Sequence, residues 1–257
     1  MGEEKEKLMG RSLNRKMEFK RFTVHDDKCA MKIGTDAVLL GSLADHPNPL
    51  RIIDVGTGSG IVALMLAQRF PDARIEAIEL DENAAIQASE NFKRSPFNDR
   101  ITCHNDSFQN WAENNYKKIE ADLIVSNPPF YDGTSKSLDR SRNMARHQDF
   151  LSTLDLLKGA SSMVNAKTGV IVIVWPVNRE GELMTTADRL GMFYNGSYRI
   201  KATESHEFTR VVAFYSKRCM NPQNWIDRTI VLEKGVGDSR EFTPEYLELV
   251  KDFFLKA

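Results

Sequence analysis

The feature that most constrains the fold lies in residues 51–70, where an apolar run leads through three glycines at alternate positions into a second apolar segment. Residues 51–55 have the composition of a buried strand, residues 56–60 that of a tight turn, and residues 61–70, followed by Pro71, that of a helix. Further strands are predicted at 74–80, 101–104, 121–125 and 169–175, and helices at 82–94, 148–164 and 178–190. Strands that alternate with helices predict an α/β fold with a doubly wound, mostly parallel sheet.

The two ends of the chain predict additions to this core. Residues 18–33 surround a turn-like sequence at 25–28 and predict a small hairpin, and a helix follows, for which Thr35 is a candidate cap. Adjacent β-type segments at 193–202 and 209–216 predict an antiparallel edge, and a strand at 229–232 and an amphipathic helix at 243–255 follow. We expect a mobile tail at 1–17 and one domain at 18–257, divided into an extension (18–48), a core (49–220) and a C-terminal part (221–257).

The composition says more about the cellular environment of the protein than about its binding partner. The formal net charge is −1, with 35 basic and 36 acidic residues, but residues 1–32, 136–146 and 199–218 are each about three charges positive. The three cysteines are far apart and form no CxxC pair, so neither a disulfide framework nor a metal site is expected. No apolar run approaches the roughly 20 residues that span a bilayer. We therefore expect a cytoplasmic monomer or weak oligomer that binds neither membrane nor metal.

Acidic residues end the first strands of the predicted sheet. Open parallel sheets bind ligands at the carboxyl ends of their strands, where Asp54, Glu79 and Asp106 with Ser107 stand. The glycine spacing is G-x-G-x-G rather than the G-x-G-x-x-G of dinucleotide folds, which disfavours a nicotinamide dehydrogenase. Asp54 suits a cationic amino group, Glu79 a ribose diol, and Asp106 with Ser107 an adenine amine. The alternative is that residues 56–60 form only a tight turn.

A second turn, Asn127-Pro128-Pro129-Phe130-Tyr131, follows the apolar run at 121–125. Proline fixes φ and lacks an N–H, so the strand must end in an irregular turn at the same sheet edge. The Asn127 amide and the backbone carbonyl of Pro128 offer acceptors to a planar amine, and the aromatic residues offer a flat apolar face. The alternative for Asn127 is a side chain that caps the turn.

Together these motifs resemble the class I methyltransferases that use S-adenosylmethionine, and the Asn127 turn matches their [DNS]-P-P-[FYW] box for amino groups. The resemblance implies a Rossmann-like fold, S-adenosylmethionine as cofactor with S-adenosylhomocysteine as product, and Asn127, Pro128, Pro129 and Phe130 as the catalytic set. The cofactor-binding residues implied are Thr35, Asp54, Gly56, Gly58, Gly60, Glu79, Leu80, Asp106, Ser107 and Asn127.

More narrowly, residues 19–22, 31–41, 127–131 and 145–147 resemble the bacterial family that N6-methylates adenosine 37 of valine tRNA. The resemblance implies tRNA as the partner. Candidate phosphate contacts are Lys16, Lys20, Arg21, Arg140, Arg142, Arg146 and His147. Each is alternatively a solvated surface charge, and His147 alternatively a general base. Two other functions stay open: methylation of another planar amine (DNA or rRNA adenine, rRNA guanine, protein glutamine), or RNA binding without catalysis.

Overall fold

The computed structural model describes residues 15–129, 151–219, 221–235 and 240–255. Its strands are β1 (Lys16–Glu18), β2 (Thr23–His25), β3 (Arg51–Val55), β4 (Arg74–Glu79), β5 (Ile101–Asn105), β6 (Leu123–Ser126), β7 (Val170–Pro176), β8 (Phe193–Lys201), β9 (Arg210–Ser216), β10 (Ile226–Val231), β11 (Glu233–Lys234) and β12 (Glu241–Phe242). Its helices are α1 (Thr35–Leu43), α2 (Ile61–Arg69), α3 (Glu82–Arg94), α4 (Phe108–Asn115), α5 (Thr153–Met163), α6 (Glu180–Arg189) and α7 (Pro244–Val250). Single 3₁₀ turns lie at Val177–Arg179 and Pro222–Asn224.

Eight strands form the central sheet, in the order β10-β8-β9-β7-β6-β3-β4-β5. β7, β6, β3, β4 and β5 are mutually parallel, whereas β9 runs antiparallel to both β7 and β8. The predicted doubly wound, mostly parallel sheet with an antiparallel side is confirmed. β10 extends that side, parallel to β8, and approaches Gly196 so closely that a Cβ there would lie 2.0 Å from the carbonyl oxygen of Ile226.

Helices cover both faces of the sheet and give it two apolar layers. α1, α2, α3 and α7 pack on one face, and α4, α5 and α6 pack on the other. Residues 123–125 of β6 are all apolar because both faces of the strand are covered: Leu123 and Val125 enter the first layer and Ile124 the second. This packing fixes the strand ends, and with them the turns that follow.

The N-terminal hairpin is present, but the prediction of its turn at 25–28 was wrong. β1 pairs with β2 around a turn at Phe19–Phe22, because these two rings stack at 4.7 Å and are buried. Asp26 is also buried, and its carboxylate accepts the Ile33 N–H at 2.9 Å, which closes residues 26–33 into a loop rather than a strand. The hairpin therefore ends before the loop that leads to α1.

Two helix boundaries also differ from expectation. Gly34 occupies the cap position of α1 without a side-chain hydrogen bond, so the alternative that Thr35 caps this helix was wrong, and Thr35 is its exposed first residue. α7 ends at Val250, five residues short of the predicted end. Within the described part of the chain, no helix combines the length and apolar character needed to cross a membrane.

Candidate active site

The carboxyl ends of β3, β6 and β7 open into a cavity of about 700 Å³. One wall comes from the loop at 31–37, which runs into α1, and the floor comes from Asp54 and the glycine turn at 56–59. Asn127 and Pro128 follow β6, and Pro176, Asn178 and residues 208–210 complete the far side. The structure thus brings the two turns singled out in the sequence to one cavity, although they are about 70 residues apart in the chain.

Asp54 is the buried charge of this cavity. Its side chain is 1% exposed, and one carboxylate oxygen accepts the Thr57 hydroxyl at 2.6 Å. Burial raises the pKa of Asp54 to about 7, against the lowering effect of the hydrogen bonds from Thr57 and the Ala63 backbone. A carboxylate held in this way is poised to gain from a cationic ligand, because a nearby positive charge favours its ionised form.

The three glycines of the turn serve two different purposes. All have positive φ, but a Cβ at Gly56 or Gly58 would meet no atom within 4 Å, whereas a Cβ at Gly60 would lie 2.4 Å from the Phe92 ring. Gly60 therefore allows α3 to pack against the turn. Gly56 and Gly58 border open space that side chains would narrow, next to a buried carboxylate, and this space fits the amino-acid end of S-adenosylmethionine.

Glu79 connects the end of β4 to the glycine turn. One carboxylate oxygen accepts the Gly58 N–H at 2.8 Å and the other accepts the Asp81 N–H at 2.9 Å. Burial raises the pKa of Glu79, while these backbone donors oppose the change. Since each oxygen has two acceptor positions, both keep capacity for a ribose diol. Leu80 follows it with 46% of its surface exposed, which offers an apolar face beside the polar group.

Asp106 and Ser107 are positioned by the start of α4. Both carboxylate oxygens of Asp106 accept the Asn110 side-chain amide, at 2.9 and 2.8 Å. The Ser107 hydroxyl accepts the Asn110 backbone N–H at 3.2 Å and caps the helix. The Asp106 backbone N–H also donates to the Glu79 carbonyl, so this turn lies directly beside the end of β4.

The Asn127 turn is held by a hydrogen bond at the end of β6 and borders the cavity. The buried Ser126 hydroxyl donates to the Val55 carbonyl at 2.9 Å and ties β6 to β3. Asn127 is half-buried at the cavity, and no hydrogen bond joins its amide to another side chain or backbone group of the described residues. The capping alternative for Asn127 therefore has no partner in this part of the chain. Pro129 is exposed, and Phe130 and Tyr131 lie outside the described residues.

The far side of the cavity was not found from the sequence. Asn178 and Phe208 line it, the first exposed and the second 36% exposed, and Arg210 pairs with Asp36 at 2.9 Å. This ion pair joins α1 to the start of β9. The positive charge of residues 199–218 was the available signal, but it did not show which side chains face the cavity.

The candidate RNA contacts do not gather around the cavity. Lys16, Lys20 and Arg21 line a separate concavity beside the hairpin, while Arg140, Arg142, Arg146 and His147 lie outside the described residues. No group of three or more His, Cys, Asp or Glu residues in the described ranges is arranged to hold a metal ion.

The fold and the cavity define a class I methyltransferase. The family model of the methyltransferase small domain matches residues 29–164, which include both turns of the cavity. A predicted O-methyltransferase from Agrobacterium tumefaciens has a similar structure, with a TM-score of 0.61 at 19% identity over 85% of this chain and 96% of that chain. At this identity the likeness shows the shared fold alone.

The chain belongs to the tRNA1(Val) (adenine(37)-N6)-methyltransferase family. It is 39% identical to the member from Trichodesmium erythraeum over 240 residues, which cover 93% of this chain and 97% of the relative. It is 37% identical to the member from Flavobacterium johnsoniae over 240 residues, covering 93% and 99%. The narrower family resemblance of the sequence is thereby confirmed.

Proposed function

We propose that this chain transfers the methyl group of S-adenosylmethionine to the exocyclic N6 of adenosine 37 in valine tRNA. The observation that carries the proposal is one cavity in which the buried Asp54 and the open glycine turn meet the Asn127 turn of the neighbouring strand. Family membership supports the choice of base and RNA, since the relatives are named for adenine 37 of this tRNA.

The strand order divides the cavity into a donor half and an acceptor half. Along the sheet edge, β4 and β3 lie on one side of β6, and β7 and β9 lie on the other. In the donor half, Asp54 lines the cavity and is proposed for the amino group. Glu79 and Leu80 lie outside the cavity lining, next to Gly58 at the end of β4, and are proposed for the ribose and for an apolar face of the adenine. Thr35 borders it from α1, and Asp106 and Ser107 follow at the next strand end.

The acceptor half lies beyond Asn127, over β7 and β9. Pro176 and Phe208 provide apolar surface there, and the exposed Asn178 provides an amide. An aromatic face suits an unstacked base, because base–aromatic stacking contributes about 1 to 3 kcal/mol and tolerates any base. An anticodon-loop adenine is already unpaired, so presenting it here costs less than opening a duplex.

Asn127 is placed between the two halves and carries the orienting role. S-adenosylmethionine supplies an electrophilic methyl group on its sulfonium. The Asn127 oxygen and the Pro128 carbonyl each accept one N–H of the adenine amine, which favours a pyramidal nitrogen with its lone pair turned toward the donor half. The lone pair forms the new N–C bond, the electrons of the broken S–C bond remain on sulfur, and the surplus proton passes to water.

Positioning accounts for most of the rate in this scheme. The amine becomes strongly acidic as the N–C bond forms, so a dedicated base is not required. Aligned reactants held about 3 to 3.5 Å apart lose much of the entropic barrier to reaction. Phe130, the last residue of the box, is proposed to stack on the base.

The direct test is methylation of anticodon stem-loop RNA by the purified protein. Nucleoside mass spectrometry should find N6-methyladenosine in the valine tRNA stem-loop, and none when guanosine replaces adenosine 37. Failure to methylate any tRNA, despite S-adenosylmethionine binding in calorimetry, would overturn the choice of substrate. Methylation of ribosomal RNA, DNA or protein instead would support the other planar amines.

A further inference from the structure

A second concavity, of about 710 Å³, lies beside the N-terminal hairpin. We call it the hairpin concavity. It is lined by four basic side chains, Lys16, Lys20, Arg21 and Arg94, together with His25. No Asp or Glu of the described residues lines it. Its charge is therefore of one sign, as expected of a surface that binds a polyanion.

The floor of the concavity is rigid. Phe19 and Phe22 flank the turn of the hairpin and stack at 4.7 Å, and the Phe22 ring packs edge-on against Phe97 at 6.2 Å. The Lys20 backbone N–H donates to the Phe253 carbonyl at 2.8 Å, which ties the turn to the segment after α7. Lys20 and Arg21 are thus presented from a fixed backbone, so little ordering is needed when a ligand binds.

Two of the four basic side chains have no carboxylate of the described residues as a partner. Neither Lys20 nor Arg21 forms an ion pair with any described carboxylate, and both are exposed. The Lys20 ammonium donates to the Lys251 carbonyl, and the Arg21 guanidinium lies 5.3 Å from the centre of the Phe97 ring. An ammonium has three donors and a guanidinium five, so both keep free N–H groups.

The other two cations are partly neutralised. Lys16 pairs with Glu18 at 2.5 Å. Arg94 lies 3.8 Å from Glu90, a carboxylate that Lys28 already binds at 2.5 Å. The hairpin turn therefore holds the cations best able to take a new anionic partner.

The hairpin concavity and the active-site cavity adjoin the same part of α3. The Asn91 amide of this helix donates to the His25 carbonyl, beside the concavity, and to the Ser59 carbonyl of the glycine turn, both at 2.8 Å. The hairpin turn lies at the other end of β2 from His25, roughly 10 Å further away at about 3.3 Å per residue. A phosphate bound at the turn therefore belongs to a different nucleotide from the base beside Asn127.

We infer that the hairpin concavity binds backbone phosphates of the same tRNA outside the anticodon loop, and so orients the anticodon arm toward the cavity. This inference rests on the proposed function. RNA fits better than a membrane because the aromatic residues of the concavity, Phe19 and Phe22, are only 5% exposed and offer no apolar surface to insert into lipid.

The test uses the full chain with Lys20→Gln and Arg21→Gln combined. A matched control combines Lys117→Gln and Lys118→Gln, two exposed lysines that follow α4 on the other face of the sheet. KM and kcat are measured with full-length tRNA and with an oligonucleotide of the anticodon loop alone. A charge-conserving double variant, Lys20→Arg with Arg21→Lys, shows whether charge or side-chain shape matters, and thermal melting shows that all variants are folded.

Removal of the two contacts should raise KM for full-length tRNA roughly tenfold and lower the slope of log affinity against log salt by about two. We expect kcat to stay within about twofold and the loop oligonucleotide to be unaffected. The control and the charge-conserving variant should behave as the unchanged protein. Equal KM values for variant and unchanged protein on full-length tRNA, or equal losses on both RNAs, would refute the inference. If the unchanged protein methylates no tRNA, the proposed function fails, and tRNA binding measured by fluorescence anisotropy still judges the hairpin concavity.

Discussion

Replacement of Asp54 by asparagine should stabilise the free protein while removing its affinity for S-adenosylmethionine. Burial raises the pKa of Asp54 from 3.8 to about 7, so the folded protein holds this carboxyl in its neutral form where the unfolded chain ionises it. A carboxyl pKa raised on folding favours the fold below the unfolded pKa, and this stability is lost as pH rises toward the folded pKa. Asp54 therefore destabilises the free protein at neutral and alkaline pH.

The size of the effect follows from the two pKa values. Each pH unit between them changes the free energy of unfolding by about 1.4 kcal/mol, which gives a penalty of roughly 4 kcal/mol near pH 8. An asparagine avoids this penalty and keeps an acceptor for the Thr57 hydroxyl, but its buried NH₂ group lacks a partner at a cost of about 1 to 3 kcal/mol. The net gain is about 1 to 3 kcal/mol near pH 8, or roughly 3 to 10 °C in Tm.

Thermal unfolding of both proteins across a pH series is the assay. Between about pH 8 and pH 5 the advantage of Asp54→Asn should shrink by roughly 2 to 3 kcal/mol, because folded wild-type protein takes up a proton in that interval. An advantage that does not change with pH would show that Asp54 does not titrate near pH 7. S-adenosylmethionine at a hundredfold excess over Kd should raise the free energy of unfolding of the wild-type protein by about 2.7 kcal/mol, and with it the Tm, and leave the variant unchanged. Equal stabilisation of the two proteins would contradict the role proposed for Asp54.

Five further substitutions separate catalysis, cofactor binding and acceptor binding. Asn127→Ala should lower kcat by about 10²- to 10³-fold in the tRNA assay and leave S-adenosylmethionine affinity in calorimetry nearly unchanged, because it removes an acceptor aimed at the reacting amine. Equal loss of both would indicate a structural turn. Gly58→Ala should weaken cofactor binding by placing a methyl group in the open space. Gly60→Ala should lower the free energy of unfolding further than Gly58→Ala does, by about 1 to 3 kcal/mol, because both positions have positive φ but only Gly60 also contacts Phe92. Calorimetry and denaturant unfolding of both variants would expose a reversed assignment. Phe208→Ala should raise KM for tRNA about tenfold through lost stacking, while Phe193→Ala, at the opposite end of β8, should not. Similar KM values for both variants would remove Phe208 from the acceptor half.

The regular core was predictable from the sequence because its signals are local. The run at 51–55 is mostly apolar because strands covered on both faces bury most of their side chains. The three glycines mark a turn whose backbone has positive φ. Local sequence patterns do not predict the structure where contacts with distant residues determine it. α4 contains three asparagines, which are poor helix formers, and is held by the Ser107 cap and by the buried Phe108 and Trp111.

The N-terminal hairpin is a second case in which local sequence patterns were not enough, because they predicted the wrong position for its turn. The two consecutive aspartates do lie in a turn, in which the Cys29 N–H donates to the Asp26 carbonyl at 3.2 Å, but the hairpin strands pair around Phe19–Phe22 instead. A turn preference of a few tenths of a kcal/mol cannot outweigh the burial of two phenylalanines, each worth about 1.5 to 3 kcal/mol. Local turn chemistry marked a turn, and aromatic packing decided which turn the hairpin strands flank.

One half of the candidate site could be predicted from local sequence, and the other half depends on the order of the strands in the sheet. Its donor half follows two consecutive strands and was read from their ends, whereas its acceptor half depends on which later strands lie beside β6. That order makes β3 the switch point of the sheet, with β4 on one side and β6 on the other. The next described helices after β3 and β6 pack on opposite faces, α2 on one apolar layer and α5 on the other. A crevice must open where they diverge. Asp54 and Asn127 stand on its two sides, held in register by the hydrogen bond from Ser126 to Val55. A methyl donor and a planar amine can therefore meet there only because two strands that are not consecutive in the chain are neighbours in the sheet.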